Sequence, residues 1–218
     1  MNHNDLLVAE LLTAKFSHDI SGPVGAINNG VEFLTEAEFE MKDQAIALVE
    51  TSAQEAVARI QFFRTAYGVT KETGEANIDK LKKLINDYFS FGKCEIEWSV
   101  RYVPDSPFVI NQMLSKLLIN IIIIAKSSVL IQGKLHVNIT ELSASEVSIE
   151  VIAEGKKIKL PDDYIILTID DLKGFTLSTR NIQIYYTKRL ADYLGTKISV
   201  DSDDERFVLR TTHRKATT

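Results

Sequence analysis

From Ala14 to Leu34 the chain reads AKFSHDISGPVGAINNGVEFL. Wound at about 100° per residue, this stretch separates into two unlike faces. Phe16, Ile20, Val24, Ile27, Val31 and Leu34 form a wide apolar stripe that asks to be buried. The opposite face carries His18 among Ala14, Lys15, Ser21, Gly22, Gly25 and Asn29, nearly all of them small. The pattern predicts a first helix, capped by Asn4 or Asp5 and running to about Leu34. A short acidic turn over Thr35–Asp43 follows, then a second helix from about Asp43 to Tyr67. Ile46, Val49, Ala53, Ala56, Val57, Ile60, Phe63 and Tyr67 make its stripe, and Gly68 stands where a left-handed cap belongs.

Two long helices joined by a short turn form an antiparallel hairpin, and one hairpin cannot bury both stripes. Pairing two hairpins from two chains into a four-helix bundle would bury them, so a homodimer is expected. Packing of the hairpin on the rest of its own chain is the alternative. The polar stretch Val69–Asn77 marks a boundary between residues 1–70 and a second unit over 76–218.

In the second unit the periodicity alternates between helix and strand. Ile78–Phe89 reads as a helix, and Cys94–Tyr102 as a half-buried strand with Cys94, Ile96, Trp98, Val100 and Tyr102 on one face. Ser106-Pro107 opens a helix that runs through Ile110 to about Ser127. Leu135–Leu142 and Val147–Ala153 form a strand hairpin, Thr176–Leu194 a helix closed by Gly195, and Lys197–Asp201 with Arg206–Thr212 a terminal hairpin. This order places helices over one face of a mixed or mostly antiparallel sheet, an α+β class.

Composition narrows the field without singling out a function. The 218 residues are 45% hydrophobic and 25% charged, with a net charge of −5. No basic cluster suggests nucleic acid. The most apolar run, Leu117–Ala125, falls far short of the ~20 residues that span a bilayer and reads as a buried helix. The start, MNHNDLLVAELL, lacks the features of a secretory signal, and the single cysteine, Cys94, fits a reducing, cytoplasmic setting. His3, His136 and His213 have no partners at metal-ligand spacing, so no metal is expected.

Chemistry concentrates at His18. Two glycines inside a helix cost roughly 1 kcal/mol each relative to alanine, and clearing space around one exposed imidazole is a physical reason to accept them. Asp19 follows the histidine, and Pro23 withdraws a backbone donor a turn later, which should kink or loosen the helix.

The string HDISGP, His18–Pro23, resembles the H-box of two-component phosphorelay proteins: a phosphoacceptor His, an acidic residue directly after it, and a Pro five positions on. Over its whole length the chain looks most like the ChpT-type histidine phosphotransferases. The resemblance implies a dimeric four-helix bundle followed by a degenerate form of the histidine-kinase ATP-binding domain, the Bergerat-type α/β sandwich. It also implies that His18 takes a phosphoryl group from one receiver domain, on a hybrid kinase, and passes it to a response regulator, with magnesium carried by the receiver. Asp19 would orient the imidazole, and Ala14, Lys15, Ser21, Gly22 and Gly25 would face the docking partner. Kinases of this kind that also dephosphorylate their receivers carry Thr, Asn or Gln four residues after the His. Here that residue is Gly22, which implies transfer without hydrolysis.

The nucleotide motifs of such kinases are eroded. Asn120 stands near the magnesium-binding position but is followed by four isoleucines, and reads as a buried, satisfied polar residue. Ala153-Glu154-Gly155 lacks the adenine-binding Asp, and GFTLSTRNIQ carries only Gly174 where a phosphate loop needs several glycines. No stably bound cofactor is expected. Two other readings stay open: an ATP-dependent histidine kinase with divergent motifs, and a non-catalytic dimeric adaptor for receiver domains.

Overall fold

The structure, a computed structural model of the chain, describes residues 3–36, 41–69, 75–103, 110–143, 145–172 and 174–214. Helices α1 (His3–Glu36) and α2 (Lys42–Tyr67) form the antiparallel hairpin. Gly30 of α1 shows why they approach closely: a Cβ there would sit 2.6 Å from Val49 Cγ2 of α2. Helix α1 already includes Asn4 and Asp5, so neither is the residue outside the helix that was expected to cap it. It also runs unbroken through Pro23.

Helix α2 leaves through Gly68 in an extended conformation (φ −66°, ψ 168°), not the left-handed cap that glycine suggested. A different constraint requires glycine here. A Cβ would lie 2.3 Å from the Arg64 carbonyl oxygen, which accepts the Gly68 N–H.

After the hairpin, β1 (Glu75–Ala76) pairs with β3 (Ile110–Asn111), flanking α3 (Ile78–Phe89) and β2 (Cys94–Arg101). Helix α4 (Gln112–Ser128) begins with Asn111, whose Oδ1 accepts from Leu114 N at 2.7 Å. The Ser106-Pro107 start lies outside the described residues. Strands β4 (Gly133–Ser143) and β5 (Glu146–Gly155), helix α5 (Ile182–Tyr193), and strands β6 (Ile198–Ser202) and β7 (Arg206–Arg214) complete the chain. Helix α5 starts six residues later than its pattern predicted. The Asn181 amide explains this: it accepts from Ser178 N and donates to Asp163 Oδ2 and Thr176 O, holding the preceding turn out of helix. The expected glycine at its far end is present, with Gly195 at φ +63°.

The sheet order is β2-β4-β5-β7-β6, parallel between β2 and β4 and antiparallel elsewhere. One face buries Leu135, Val137, Ile139, Ile149, Val151, Phe207 and Leu209 under α4, which is itself buried almost all round. The other face is a set of ion pairs in cross-strand register. Glu146, Glu150 and Glu154 of β5 meet Arg214, Arg210 and Arg206 of β7, while His136 lies between Glu97 and Glu154 and Lys134 reaches Glu95 and Glu97. The hairpin joins this core through rings. Phe62 stacks on Tyr88 at 3.9 Å, Phe63 meets Phe16 and Tyr67, and Tyr67 meets Tyr186 of α5.

His213 of β7 is buried, and its Nδ1 is a buried polar atom with no hydrogen-bond partner. Burial pushes its pKa below the ordinary value, against a smaller upward pull from a hydrogen bond to the Leu194 backbone. The unfolded chain therefore takes up this proton before the folded one, and stability contributed above the unfolded value of about 6.5 is lost as pH falls through the folded value. Urea denaturation between pH 7.5 and 5 is expected to show stability falling with pH, and His213→Gln is expected to flatten that decline.

Candidate active site

His18 stands on the outer face of α1 with its side chain 88% exposed. Its Nδ1 lies 3.2 Å from Asp19 Oδ1. Neighbours in sequence usually diverge on a helix, yet here the two side chains meet. A carboxylate only accepts, so this contact favours the neutral tautomer with its N–H on Nδ1, in which Nε2 carries the lone pair. The other Asp19 oxygen, Oδ2, lies 3.5 Å from Lys15 Nζ. Lys15 is thus one helical turn before Asp19 and paired with it. Across the hairpin, Arg59 Nη1 donates to the Asp19 backbone carbonyl at 2.6 Å, and its Nε and Nη2 both donate to Glu55 Oε1.

The small residues around the imidazole fall into two kinds. Ala14, Ser21, Gly22 and Gly25 are exposed on the same side as His18, whereas Lys15 is half-buried. Ser21 Oγ donates to the Ser17 carbonyl, so its proton is used within its own helix. A Cβ built on Gly22 or Gly25 would meet nothing within 4 Å, unlike Gly30. Packing within the chain does not require glycine at 22 or 25. These positions keep a shallow lane open beside the ring.

Asn120 is fully buried, as its sequence context indicated. Its Nδ2 donates to the Ala66 carbonyl at 3.0 Å and to the Lys116 carbonyl at 2.8 Å. Its Oδ1 accepts from Gln183 Nε2 at 2.7 Å, and Gln183 Oε1 in turn accepts from Tyr67 Oη–H. Lys116 Nζ donates to the Gly68 carbonyl, and burial pulls the pKa of this amine down. The amide is engaged by the end of α2, by its own helix α4 and by α5. Glu154 faces the helix-free side of the sheet with His136 and Arg206. Among the described residues, no group of three or more His, Cys, Asp or Glu is arranged to hold a metal ion, and no helix is long and apolar enough to cross a membrane.

Arg59 and Gln183 went unrecognised in the sequence. Glu55 and Arg59 have the spacing of an ordinary intrahelical pair, and only the hairpin register reveals the second use of the guanidinium. One signal was present: a proline at position 23 leaves the carbonyl at position 19 without its helical donor.

A helical hairpin carrying an exposed imidazole, beside a mixed five-stranded sheet covered by helices on one face, has the architecture of the histidine-kinase fold class. The model of the histidine phosphotransferase C-terminal domain matches residues 78–206. The chain is 31% identical over 199 residues, 91% of each protein, to the protein phosphotransferase ChpT of Brucella abortus (strain 2308). A solved bacterial phosphotransferase superposes over 97% of both chains with a TM-score of 0.80 and 28% identity. The histidine kinase ThkA, solved in complex with the response regulator TrrA, shares the fold at a TM-score of 0.50 and 15% identity, over 98% of this chain and 64% of that one. The chain belongs to the histidine phosphotransferase family and is a transferase of the phosphorelay type.

Gly22 offers a test in which stability and activity move in opposite directions. Gly22→Ala fills open space in an exposed helix, so it is expected to raise unfolding stability by about 1 kcal/mol. The same methyl group narrows the lane beside His18 and is expected to slow phosphoryl transfer. Urea titration and a transfer assay on one preparation check both signs.

Proposed function

We propose that His18 is the phosphoacceptor, taking a phosphoryl group from the aspartyl phosphate of one receiver domain and passing it to the Asp of another. The observation that carries this reading is the contact between His18 Nδ1 and Asp19, which favours a lone pair on Nε2 of an exposed ring. In the forward step the Nε2 lone pair forms a bond to phosphorus as the bond from phosphorus to the aspartyl oxygen breaks. The freed carboxylate stays on the receiver. The ring gains positive charge, and the Asp19 carboxylate on Nδ1–H offsets it. The reverse step, onto a second receiver, needs no further group from this chain. Magnesium, expected on the receiver, would neutralise charge on the phosphoryl oxygens. Ala14, Lys15, Ser21, Gly22 and Gly25 form the surface on which a receiver would sit.

The working form would be a cytoplasmic homodimer. Val24, Val31, Ile46, Val57 and Ile60 of the hairpin stand about half exposed in the single chain, and a second hairpin would cover such surface. The hydrogen-bonded amide of Asn120 supports a second unit without stable nucleotide binding, so labelling from ATP is not part of this reading.

The test is transfer from a phosphorylated receiver domain to purified protein with ATP absent. Acid-labile, base-stable label is expected on wild type and none on His18→Ala. Asp19→Asn is expected to slow transfer about tenfold to a hundredfold, the worth of one hydrogen bond to a charged group. Label from ATP alone would instead make the chain a kinase, and no label from any of several receivers would make it an adaptor. Sedimentation of the same preparation is expected to give a mass near twice 24.5 kDa, and a single-chain mass would overturn the dimer.

A further inference from the structure

In a regular α-helix the carbonyl of residue 19 accepts the N–H of residue 23. Residue 23 is proline and has no N–H, yet α1 continues through it as helix. The Asp19 carbonyl is therefore left without its helical partner, and an acceptor withdrawn from water in that condition is costly unless another donor reaches it. Asp19 is half-buried, and its backbone carbonyl meets α2. From α2, Arg59 Nη1 reaches this oxygen at 2.6 Å, crossing from its own helix to α1. Glu55 takes the remaining side of the fork through Nε at 2.9 Å and Nη2 at 2.5 Å, so the guanidinium plane is held before it crosses to α1.

The residue it grips holds the reactive ring. Asp19 Oδ1 contacts His18 Nδ1, Asp19 Oδ2 faces Lys15 Nζ, and the Asp19 carbonyl takes Arg59. Three groups thus converge on one residue, each on a different oxygen. The Arg59 contact acts on the peptide unit from which the carboxylate projects. Release of that contact would leave this peptide without a donor to its carbonyl, and the carboxylate would lose its alignment with Nδ1.

We propose that Arg59 is a positioning residue for phosphotransfer: it substitutes from the neighbouring helix for the donor that Pro23 removes, and so holds Asp19 where it keeps the proton on Nδ1 of His18. Pro23 and Arg59 are then one device divided between two helices. The assignment rests on His18 as phosphoacceptor for its effect on transfer, but its effect on the ring can be measured without any transfer.

The experiment is a cycle of wild type, Arg59→Met, Pro23→Ala and the double variant, with Arg59→Gln run beside Arg59→Met as a milder change in case methionine prevents folding. Pro23→Ala returns an N–H to the Asp19 carbonyl, which makes Arg59 dispensable. Two readouts are taken on folded protein: the 15N shifts of the His18 ring, and the transfer rate at saturating and sub-saturating phosphorylated receiver. Removal of Arg59 is expected to move the ring away from the Nδ1–H tautomer. It is also expected to lower the saturating rate about tenfold with little change in the receiver concentration needed, and both effects should largely vanish in the Pro23→Ala background. Equal losses in both backgrounds, or an unchanged tautomer in Arg59→Met and Arg59→Gln, would overturn the proposal. If wild type accepts no label, His18 fails as phosphoacceptor while the ring shifts still decide what Arg59 does.

Discussion

The last carbonyls of a helix have no donors within their own helix, and in α2 those at Ala66 and Gly68 come to rest against the interior of the sheet-bearing half. They are met by Asn120 Nδ2 and Lys116 Nζ, both from α4. The arrangement of the two halves depends on this meeting. It brings Phe62, Phe63 and Ala66 into the same core as the sheet, so that hairpin and sandwich share one apolar interior. It also suits the field at a helix C-terminus, where a cation and an amide donor are both favoured. Gln183 and Tyr67 then close the network from α5 and back to α2.

With the base of the hairpin held in this way, the rest of the hairpin presents His18 to solvent. His18 is more exposed than its neighbours Lys15 and Asp19, yet it is not unordered. One carboxylate lies against its Nδ1, and that residue is in turn tied to Lys15 and, through its backbone, to Arg59. Exposure and order are usually competing demands on a side chain. They are reconciled here by placing the order beneath the ring, in the cleft between α1 and α2, and leaving the solvent side to small residues.

Much of this was legible in the residues themselves. The two hairpin helices, α3, the five strands of the main sheet and the burial of Asn120 follow from local pattern, because a stripe or an alternation records which side is covered. The two-residue strands β1 and β3, by contrast, fall in segments that read as a polar boundary and a helix start. The failures are non-local or turn on a single side chain. Gly68 reads as a left-handed cap, but glycine is needed there because the chain passes too close to the Arg64 carbonyl. The apolar rhythm before α5 reads as helix, but one amide, Asn181, spends its hydrogen bonds keeping that segment in a turn. Arg59 lies forty positions from the carbonyl it serves. Its role depends on the register of two helices, which no window along the chain contains.

The open face of the sheet has a consequence for how the protein survives its own concentration in a cell. Strand β2 is an edge, eight residues long, and an uncovered edge is a template for a strand from another molecule. Glu95 and Glu97 stand along it, both exposed and both facing Lys134 of β4. Two copies meeting edge to edge would bring these carboxylates together in place of their lysine, and like charges set opposite one another in a ladder repel. The residues that tie β2 to its neighbour thus also guard against aggregation through that edge.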